Sequence, residues 1–396
     1  MKKIFAILLA ACMLLALAAC GEAAPKASEA PATEAPVSQA PSEGTESEEP
    51  APQGAALNIV IVTSGSSVDD GSFNQDNYNG ILAFIAANPS SKVTAVTSAD
   101  IANSFNDVSE VVADYDVIVT PGFQFSTISQ LALDNPEKFF ILIDSYPDEI
   151  EGQTEFGNIY AVQFKEQESG FFAGIAAALE TVSGKVAVVN GIAYPSNVNY
   201  QYGFEAGVAY ANAKLGAAAT VVELPARAGT DVTDTVVGGN YIGDFGDEAT
   251  GKVVGNELIA EGVDIIFVAA GASGNGVFTA AKENGAVKVI GCDVDQYDDG
   301  VFAGGNIEIT SGLKVMSTTV ERALLAIADG SFKGGNVLLG ADTDSTGFVS
   351  SSGRHQLSDD TLVQLASAYD LVKSGAIIPP SNFSGDVTVE NFPGLA

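Results

Sequence analysis

Short apolar runs rich in β-branched residues alternate with helix-like segments along most of the chain. Residues 58–62 read Asn-Ile-Val-Ile-Val, and Tyr78, Ile81 and Ile85 follow at helical spacing. The same pattern predicts strands at 58–62, 93–96, 116–119, 139–143, 159–164, 185–189, 220–223, 264–268 and 287–290. It predicts helices between them, including those at 166–180, 198–215, 251–261 and 274–284. Continuous apolar strands that alternate with helices indicate an α/β fold with parallel sheets covered on both faces.

Nine strands suit two doubly wound domains better than one large sheet. The strand at 159–164 ends a first series, and the helix that begins at Glu166 starts a second one. A further helix is predicted at 311–329, after the second series. Its apolar stripe consists of Leu313, Met316, Val320, Leu324 and Ile327. We expect this helix to return and pack on the first lobe, because it follows the second series of strands in the chain.

The predicted organisation is therefore two doubly wound lobes joined by several crossings. Lobe 1 is expected to comprise residues 57–164 with about 310–335, and lobe 2 residues 165–309 with about 336–396. Several crossings between two lobes make a hinge, and a cleft between facing strand ends can close around a ligand.

Residues 1–19 have the organisation of a secretory signal peptide. Lys2 and Lys3 supply the charged start, and residues 4–17 supply the apolar stretch. The sequence Leu-Ala-Ala-Cys-Gly at 17–21 is typical of a bacterial lipoprotein signal, so we expect cleavage before Cys20 and its acylation, palmitate included. Two or more acyl chains hold a protein stably on a membrane, here the extracytoplasmic face. The alternative is a plain secretory signal with a chance cysteine.

Residues 20–56 are predicted to be the anchored cysteine followed by a disordered linker. The stretch is rich in Ala, Pro, Glu, Ser and Thr, which cannot bury enough apolar surface to fold. Beyond Cys12 and Cys20, the chain has one cysteine, Cys292, so the folded part can form no internal disulfide. We interpret Cys292 as a small buried core thiol.

The charge of the chain limits its partners. The sequence has 17 Lys and Arg against 50 Asp and Glu, a formal net charge of −33. Such acidity argues against binding of nucleic acid, which requires a basic surface. It also disfavours anionic ligands, because no local basic patch is visible in the sequence.

Residues 68–75, Val-Asp-Asp-Gly-Ser-Phe-Asn-Gln, are the most informative segment. They join the first strand to the first helix, and open α/β sheets bind ligands at that end of their strands. The segment offers carboxylates, a hydroxyl, an aromatic ring and carboxamides, which together suit a flat, polar, neutral molecule. Its candidate ligand-binding residues are Asp70, Phe73 and Asn74.

A glycine-rich turn at 271–276 follows another predicted strand and opens a helix. Its spacing, G-x-x-G-x-G, is not that of the dinucleotide fingerprint, so we favour backbone contact with a smaller polar ligand at Gly271. Asp293, at the end of the strand predicted at 287–290, would project into the cleft. A carboxylate there can accept two hydrogen bonds, as vicinal sugar hydroxyls require. A solvated or helix-capping aspartate is the alternative.

No catalytic or metal-binding constellation is visible in the sequence. The single histidine, His355, lies in a polar loop and is expected at the surface. The sequence has no G-x-S-x-G elbow, no Cys/His cluster and no P-loop. Asp69 and Asp70 could serve in acid–base chemistry, but adjacent side chains usually point apart. We therefore predict a protein that is not an enzyme, with no cofactor and no metal.

Taken together, the motifs resemble a known family. Residues 68–75 are similar to the I-D-D-K-S-F-N-Q signature of the basic membrane protein family, which consists of lipoproteins of the nucleoside-binding type that serve ABC importers. The resemblance covers residues 57 to 327, approximately. Further similar segments lie at 116–123, at 135–144, at 164–174 (Phe-Lys-Glu-Gln-Glu, then Phe-Phe-Ala-Gly), at 203–207, at 269–271, at 293–296 and at 310–314.

The resemblance implies a type I periplasmic-binding-protein fold: two Rossmann-like lobes, three hinge crossings and a ligand enclosed between them. It implies a purine nucleoside as ligand, with the base stacked between Phe73 and Phe245. The polar edges of the ligand would be read by Asn74 and Asp144. Gly271 would approach through its backbone, and Asp293 and Lys314 would hold the ribose hydroxyls. The family pattern begins its first turn with an acidic residue, whereas this chain has Ser64, an uncharged hydroxyl of shorter reach.

The leading hypothesis is a lipid-anchored receptor that captures a nucleoside and delivers it to an ABC permease and its ATPase. A sensor of the same fold that signals to a membrane partner is the second hypothesis. Binding of another small polar solute, such as a sugar, also stays open. An enzyme such as a nucleoside hydrolase or an oxidoreductase is the third hypothesis.

Overall fold

The computed structural model describes residues 54–98, 100–382 and 387–396. The predicted signal peptide at 1–19, Cys20 and nearly all of the predicted linker lie outside these residues. Within the described part of the chain, no helix is long and apolar enough to span a bilayer.

The regular elements follow each other as alternating strands and helices. The strands are Asn58–Ser64 (β1), Lys92–Ser98 (β2), Val117–Pro121 (β3), Phe139–Ile143 (β4), Ile159–Phe164 (β5), Lys185–Asn190 (β6), Thr220–Val221 (β7), Gly229–Thr230 (β8), Val236–Gly238 (β9), Ile265–Ala269 (β10), Lys288–Asp293 (β11), Val301–Phe302 (β12), Gly305–Asn306 (β13), Glu308–Lys314 (β14), Gly335–Leu339 (β15) and Thr346–Phe348 (β16). The α-helices are Phe73–Ala87 (α1), Ser104–Val111 (α2), Ser129–Asp134 (α3), Glu166–Glu180 (α4), Pro195–Lys214 (α5), Glu248–Ala260 (α6), Ala272–Asn284 (α7), Ser317–Asp329 (α8) and Asp359–Lys373 (α9).

The strands of the described residues form two six-stranded sheets and two short ribbons. Sheet 1 has the order β15-β5-β4-β3-β1-β2, and all of its neighbouring strands are parallel. Sheet 2 has the order β16-β14-β11-β10-β6-β7, and only the edge strand β16 runs antiparallel to its neighbour. The ribbons are β8-β9 and β12-β13. The prediction of parallel sheets is therefore confirmed.

Helices cover both faces of each sheet, which explains why the strands are continuously apolar. Along β1, Ile59 and Ile61 face α1 and α8, whereas Val60 and Val62 face α2, α3 and the short helical segment at 123–128. This alternation follows from the two-residue period of a strand. Sheet 2 packs on α4, α5 and α9 with one face and on α6 and α7 with the other.

Glycines allow α4 and α5 to pack closely. A Cβ atom at Gly174 would lie 2.1 Å from the carbonyl oxygen of Phe204, and one at Gly207 would lie 2.1 Å from that of Phe171. These distances are far below van der Waals contact, so only glycine fits at either position. The two segments that resemble the family at 164–174 and 203–207 therefore meet in space as one helix–helix contact.

The late helix packs on sheet 1 as predicted, but its predicted start is wrong. Val320 and Leu324 of α8 are buried in the core of sheet 1. Residues 311–314, including Leu313, belong instead to β14, which pairs with β11. The helix begins at Ser317, where the carboxylate of Asp76 accepts hydrogen bonds from the N–H groups of Met316 (3.2 Å) and Ser317 (2.9 Å). A cap from a residue 240 positions away is invisible to local periodicity.

The chain crosses between the two sheets three times within the described residues. The crossings lie between β5 and α4, between β14 and α8, and between β15 and the short helix at 341–343. The strands divide at other residues than the predicted lobes. Residues 310–314 extend β14 in sheet 2, and 336–339 belong to β15 in sheet 1. Short crossings explain the difference, because a strand of one sheet lies only a few residues from an element of the other.

Candidate ligand-binding cleft

A cleft between the carboxyl ends of the two sheets contains every ligand-binding residue predicted from the sequence. Its lining includes Ser64, Asp70, Phe73, Asn74, Asp144, Phe245, Gly271, Asp293 and Lys314. The space between the lining residues amounts to about 570 Å³ when the open mouth of the cleft is included. The two faces of the cleft come from opposite sheets, as a hinged pair of lobes requires.

Several lining residues were missed by the sequence analysis. They are Ser66, Pro121, Gly122, Phe123, Gln124, Tyr194, Ser196, Asn197, Tyr200, Ala269 and Cys292. Most of them follow the carboxyl ends of β1, β3, β6 and β10 or lie at the ends themselves. Their position in the chain could have identified them, because every loop that follows a parallel strand is a candidate for ligand binding, with or without a recognisable motif.

The turn at 68–75 is held together by one buried carboxylate. Asp70 accepts hydrogen bonds from the N–H groups of Ser72 (3.0 Å), Asn74 (2.9 Å) and Gln75 (3.0 Å). Burial raises the pKa of Asp70, and these N–H groups act in the opposite direction. With its oxygens so engaged, Asp70 shapes the turn and the start of α1, while the neighbouring Asp69 is exposed.

Beside Asp70, the part of the cleft near β1 is lined by uncharged polar side chains. The amide of Asn74 donates to the hydroxyl of Ser66 (2.9 Å) and to its carbonyl oxygen (3.2 Å). Ser64 is buried, and its hydroxyl accepts a hydrogen bond from Ser104 (2.8 Å). Because Asn74 and Ser64 already have protein partners, both are fixed in orientation before any ligand contact.

Aromatic rings from both sheets line the cleft. The ring of Phe123, which follows β3, has its centre 5.3 Å from the ring centre of Tyr194, which precedes α5. The ring centres of Tyr194 and Phe245 are 6.0 Å apart. The ring of Phe245 covers Gly191, where a Cβ would be 2.3 Å from the ring. Phe73 projects from the other side of the cleft, with the ammonium of Lys314 4.8 Å from its ring centre.

Gly271 is the N-cap of α7 and has a φ of +54°. Beside it, the N–H of Ser273 donates to the carbonyl oxygen of Phe245 (2.9 Å). The glycine turn therefore positions the Phe245 loop through its backbone. Whether Gly271 also contacts a ligand stays a prediction.

A buried ionic cluster also lines the cleft, beside the ring of Phe73. The ammonium of Lys314 lies 2.5 Å from Asp144, 3.5 Å from Asp293 and 3.9 Å from Glu166. Asp293 also accepts from the hydroxyl of Tyr200 (2.8 Å). Burial alone would lower the pKa of Lys314, but the neighbouring acidic groups, Asp144 first among them, outweigh it and hold the pKa above its usual value. Lys314 is therefore a fixed cation.

Direct contacts join the two sides of the cleft. The hydroxyl of Ser72 donates to the carboxylate of Asp293 (3.1 Å), and the amide of Gln296 lies 3.4 Å from the carbonyl oxygen of Gly71. The Lys314–Asp144 ion pair bridges the sides as well. The structure thus has the two halves of the site in contact, in the arrangement that would enclose a ligand.

Cys292 and His355, the two residues considered for reactivity, are not placed for chemistry. Cys292 is a free, buried thiol at the back of the cleft, and burial raises its pKa well above the usual value. His355 is partly exposed and does not line the cleft. Within the described residues, no group of three or more His, Cys, Asp or Glu side chains could hold a metal ion.

Comparison with known proteins gives the family. Residues 57–223 and 232–379 match the family described as "ABC transporter substrate-binding protein PnrA-like", named Bmp. The chain belongs to this family. Its members are solute-binding proteins rather than enzymes, and substrate-binding proteins of ABC importers work outside the cytoplasm. The family resemblance inferred from the sequence is therefore confirmed.

Curated relatives agree with this assignment. An "ABC transporter nucleoside-binding protein BmpA" of Lactococcus lactis is 28% identical over 71% of this chain and 78% of its own length. A "CD4+ T-cell-stimulating antigen" of Listeria monocytogenes is 29% identical over 81% of this chain and 87% of its own. "Basic membrane protein D" of Borreliella burgdorferi is 29% identical over 74% of this chain and 79% of its own length.

Solved structures confirm the two-lobed fold of this substrate-binding protein. An ABC transporter solute-binding protein of Aeropyrum pernix superposes with a TM-score of 0.69 at 23% identity, over 83% of this chain and 95% of its own. A solute-binding protein of Conexibacter woesei gives a TM-score of 0.59 at 19% identity, over 82% and 99%. At these identities the likeness concerns the fold alone.

Proposed function

We propose that the chain captures a neutral nucleoside, with a purine nucleoside as the first candidate, and delivers it to an ABC permease. The observation that carries the proposal is the cleft itself. It combines aromatic rings, fixed neutral hydrogen-bonding groups and a carboxylate–ammonium cluster around one space between the two sheets. The name of the Lactococcus lactis relative supports the same class of ligand.

The base would lie between Phe73 and Phe245. The two rings come from opposite sides of the cleft, and a flat base between them would gain offset stacking and lose contact with water. Asn74 and Ser64 would meet the polar edge of the base. Because both are uncharged here, they suit a neutral heterocycle.

The sugar would lie at the ionic cluster. Asp293 and Asp144 can accept hydrogen bonds from vicinal hydroxyls, and Lys314 can donate one. One oxygen of Asp144, Oδ1, is buried and has no hydrogen-bond donor in the described structure. Each carboxylate oxygen can accept more than one hydrogen bond, so Oδ1 can accept one from a ligand hydroxyl, which would stabilise the bound state.

The charge of the cluster selects against anions. Lys314 is surrounded by three carboxyl groups, so the cluster bears no net positive charge. A phosphate at this cluster would meet like charge in a poorly hydrated site. We therefore expect nucleosides to bind and the corresponding nucleotides to be rejected.

The remaining parts of the proposal concern the site of action. Acylation of Cys20 would tether the receptor to the membrane near the permease. The two sheets would act as lobes that open and close at the three crossings. Mass spectrometry of the membrane-extracted protein tests the tether: an unmodified Cys20 on the mature chain would contradict it.

A thermal-shift panel on residues 54–396 tests the ligand class. Adenosine, guanosine, inosine, uridine, their monophosphates, free bases, sugars and amino acids are compared. A ligand at about one hundred times its Kd stabilises the folded state by about 2.7 kcal/mol. Stabilisation by sugars or amino acids, with none from any nucleoside, would refute the proposal.

The stacking model has its own test in Phe73→Ala. Loss of one stacking ring costs about 1–3 kcal/mol per base, so nucleoside affinity measured by calorimetry should fall about 5- to 150-fold. Phe105→Ala is the matched control, since Phe105 is an exposed phenylalanine on α2 that does not line the cleft. Equal affinities of the two variants would remove Phe73 from the site.

A further inference from the structure

The Phe-Lys-Glu-Gln-Glu segment at 164–168 contains two glutamates that the cleft does not use. Glu166 and Glu168 lie on the first crossing, where β5 ends and α4 begins. Both are buried, with 2% and 5% of their surface exposed, and neither lines the cleft. A buried carboxyl is costly unless it is paired, so each requires compensating contacts.

Glu168 has the contacts of an ordinary buried carboxylate. It accepts hydrogen bonds from the N–H of Ala341 (2.6 Å) and the hydroxyl of Thr346 (2.6 Å). The ammonium of Lys165 lies 3.8 Å away. These contacts connect the first crossing to the third, and donors account for the buried charge.

Glu166 faces another acid instead. Its Oε2 accepts from the amide of Asn199 (3.0 Å), and its Oε1 lies 3.9 Å from Lys314. Its carboxyl and the buried carboxyl of Asp144 approach the same ammonium, that of Lys314, at 3.9 Å and 2.5 Å. Asp144 Oδ2 is engaged by Lys314, while Asp144 Oδ1 has no donor among the described residues. Two carboxyl groups can form a hydrogen bond only when one of them carries a proton.

The surroundings favour retention of that proton at neutral pH. Burial raises the pKa of Glu166 to about 8, with the charge of Asp144 as the second cause and Lys314 acting against both. Burial likewise raises the pKa of Asp144, against the charge of Lys314. Two carboxyls and one ammonium in a buried space therefore hold one shared proton.

No other charged group replaces this proton. Among the described residues, the groups that face Glu166 from the neighbouring elements are Asp144, Tyr146, Lys314, Asn199 and Tyr200. Burial raises the pKa of both tyrosines, so they stay neutral. Asp293 adds a further negative charge on the far side of Lys314.

We propose that Glu166 is a positioning residue for ligand binding: as a neutral acid it donates a hydrogen bond to Asp144 and holds Asp144 and Lys314 in place across the closed cleft. The inference rests on the proposed function for its ligand. Asp144 follows β4 of sheet 1, whereas Glu166 begins α4 on sheet 2. The shared proton therefore joins the two sides at the crossing itself.

The sign of the pH dependence follows. Below about pH 8, Glu166 is neutral and attracts Asp144. Above that pH, Glu166 becomes a carboxylate, and the repulsion between two buried anions on opposite lobes favours the open cleft. Affinity for a neutral ligand should then fall by about tenfold per pH unit, the limit for one linked proton.

Calorimetric titration of adenosine from about pH 6 to about pH 9.5 tests this linkage. Adenosine is a suitable probe because it does not change protonation in this range. The wild-type protein and three variants are compared: Glu166→Gln, which keeps a donor but cannot ionise, Glu166→Ala, and Glu205→Gln. Glu205 is the matched control, because burial raises its pKa to about 7 and it faces Gln201 rather than the cleft.

The expected pattern is specific to a donated proton. Glu166→Gln should bind within about threefold of wild type near pH 7 and show no loss at high pH, whereas Glu166→Ala should bind at least about tenfold more weakly throughout. Glu205→Gln should retain the wild-type pH profile. A wild-type affinity that does not change with pH, or a Glu166→Gln profile parallel to that of wild type, would overturn the inference.

Infrared difference spectroscopy on ligand-free protein separates this inference from the proposed function. The wild-type minus Glu166→Gln spectrum at pH 7 should contain the carbonyl stretch of a protonated carboxylic acid, and the band should disappear above about pH 9. Its presence would support the shared proton even if adenosine does not bind. A difference spectrum without such a band would refute it.

Discussion

Replacement of Lys314 by methionine should be among the most damaging single changes in the folded chain. The lysine is 2% exposed, and its ammonium is the cation that Asp144, Asp293 and Glu166 share. Lys314→Met keeps most of the side-chain volume and leaves buried carboxylates uncompensated. Removal of one partner of a buried ion pair typically costs about 3–5 kcal/mol. We expect that loss in the free energy of unfolding, measured by urea denaturation at pH 8.

The same variant should recover stability at lower pH. Without Lys314, protonation of the carboxyl groups is the remaining way to remove their charge, so the difference from wild type should shrink between about pH 8 and about pH 5.5. Lys252→Met is the control, because its ion pair with Glu283 (2.7 Å) has side chains 38% and 60% exposed. Such pairs contribute about 0–1 kcal/mol. Equal losses in the two variants, or a loss at Lys314 that is independent of pH, would refute the electrostatic account.

Two further predictions concern stability. Gly174→Ala should lower the free energy of unfolding by about 1–3 kcal/mol or more, because its Cβ would meet the carbonyl oxygen of Phe204. Gly157→Ala is the control: a Cβ there would have nothing within 4 Å, so this variant should be near neutral in the same urea assay. Equal losses in the two variants would contradict the packing argument. Burial raises the pKa of Glu166 and Glu308 to about 8, so the native state keeps protons that the unfolded state releases above about pH 4.5. The Tm should therefore fall as the pH rises from about 5 to about 8, less steeply in Glu308→Gln, and a Tm that rises through this window would contradict the assignment.

The sequence predicted the central strands of both sheets because they are buried on both faces. Residues such as Val60 and Ile61 leave an unbroken apolar run whichever face is considered. The start of the late helix was predicted at residue 311 instead of 317 for a related reason. Leu313 on the strand and Val320 on the helix are both apolar, so the apolar pattern continues from one element to the other without a break. The decisive cap, Asp76, belongs to α1 and could not be found locally.

The site residues that belong to a sequence motif could be predicted. Those that meet only because distant parts of the chain come together in the fold could not. Phe73 and Asn74 lie in a distinctive turn, whereas Phe123 and Tyr194 are ordinary loop residues whose contact joins positions far apart in the chain. Glu166 was visible as part of a family-like segment, but nothing in that segment indicates that it meets Asp144. Side chains that act through long-range partners carry no local signature.

The polar side chains that line the cleft form two groups of different charge, and this difference bears on selectivity. In the first group, Ser64 and Asn74 are neutral and already hydrogen-bonded to neighbouring serines. In the second group, Lys314 and its carboxylates are fixed and charged. A nucleoside has a matching division between an uncharged base and a hydroxyl-rich sugar. Position 64 is a serine and not a carboxylate, so it does not require a hydrogen-bond donor on the base, and discrimination between bases should be weak. Discrimination between sugars should be strong, because loss of a hydroxyl would leave a buried carboxylate oxygen unpaired. Comparison of adenosine with guanosine, and of adenosine with its 2′- and 3′-deoxy forms, measures the two groups separately: a preference among bases that exceeds the preference among sugars would reverse this assignment.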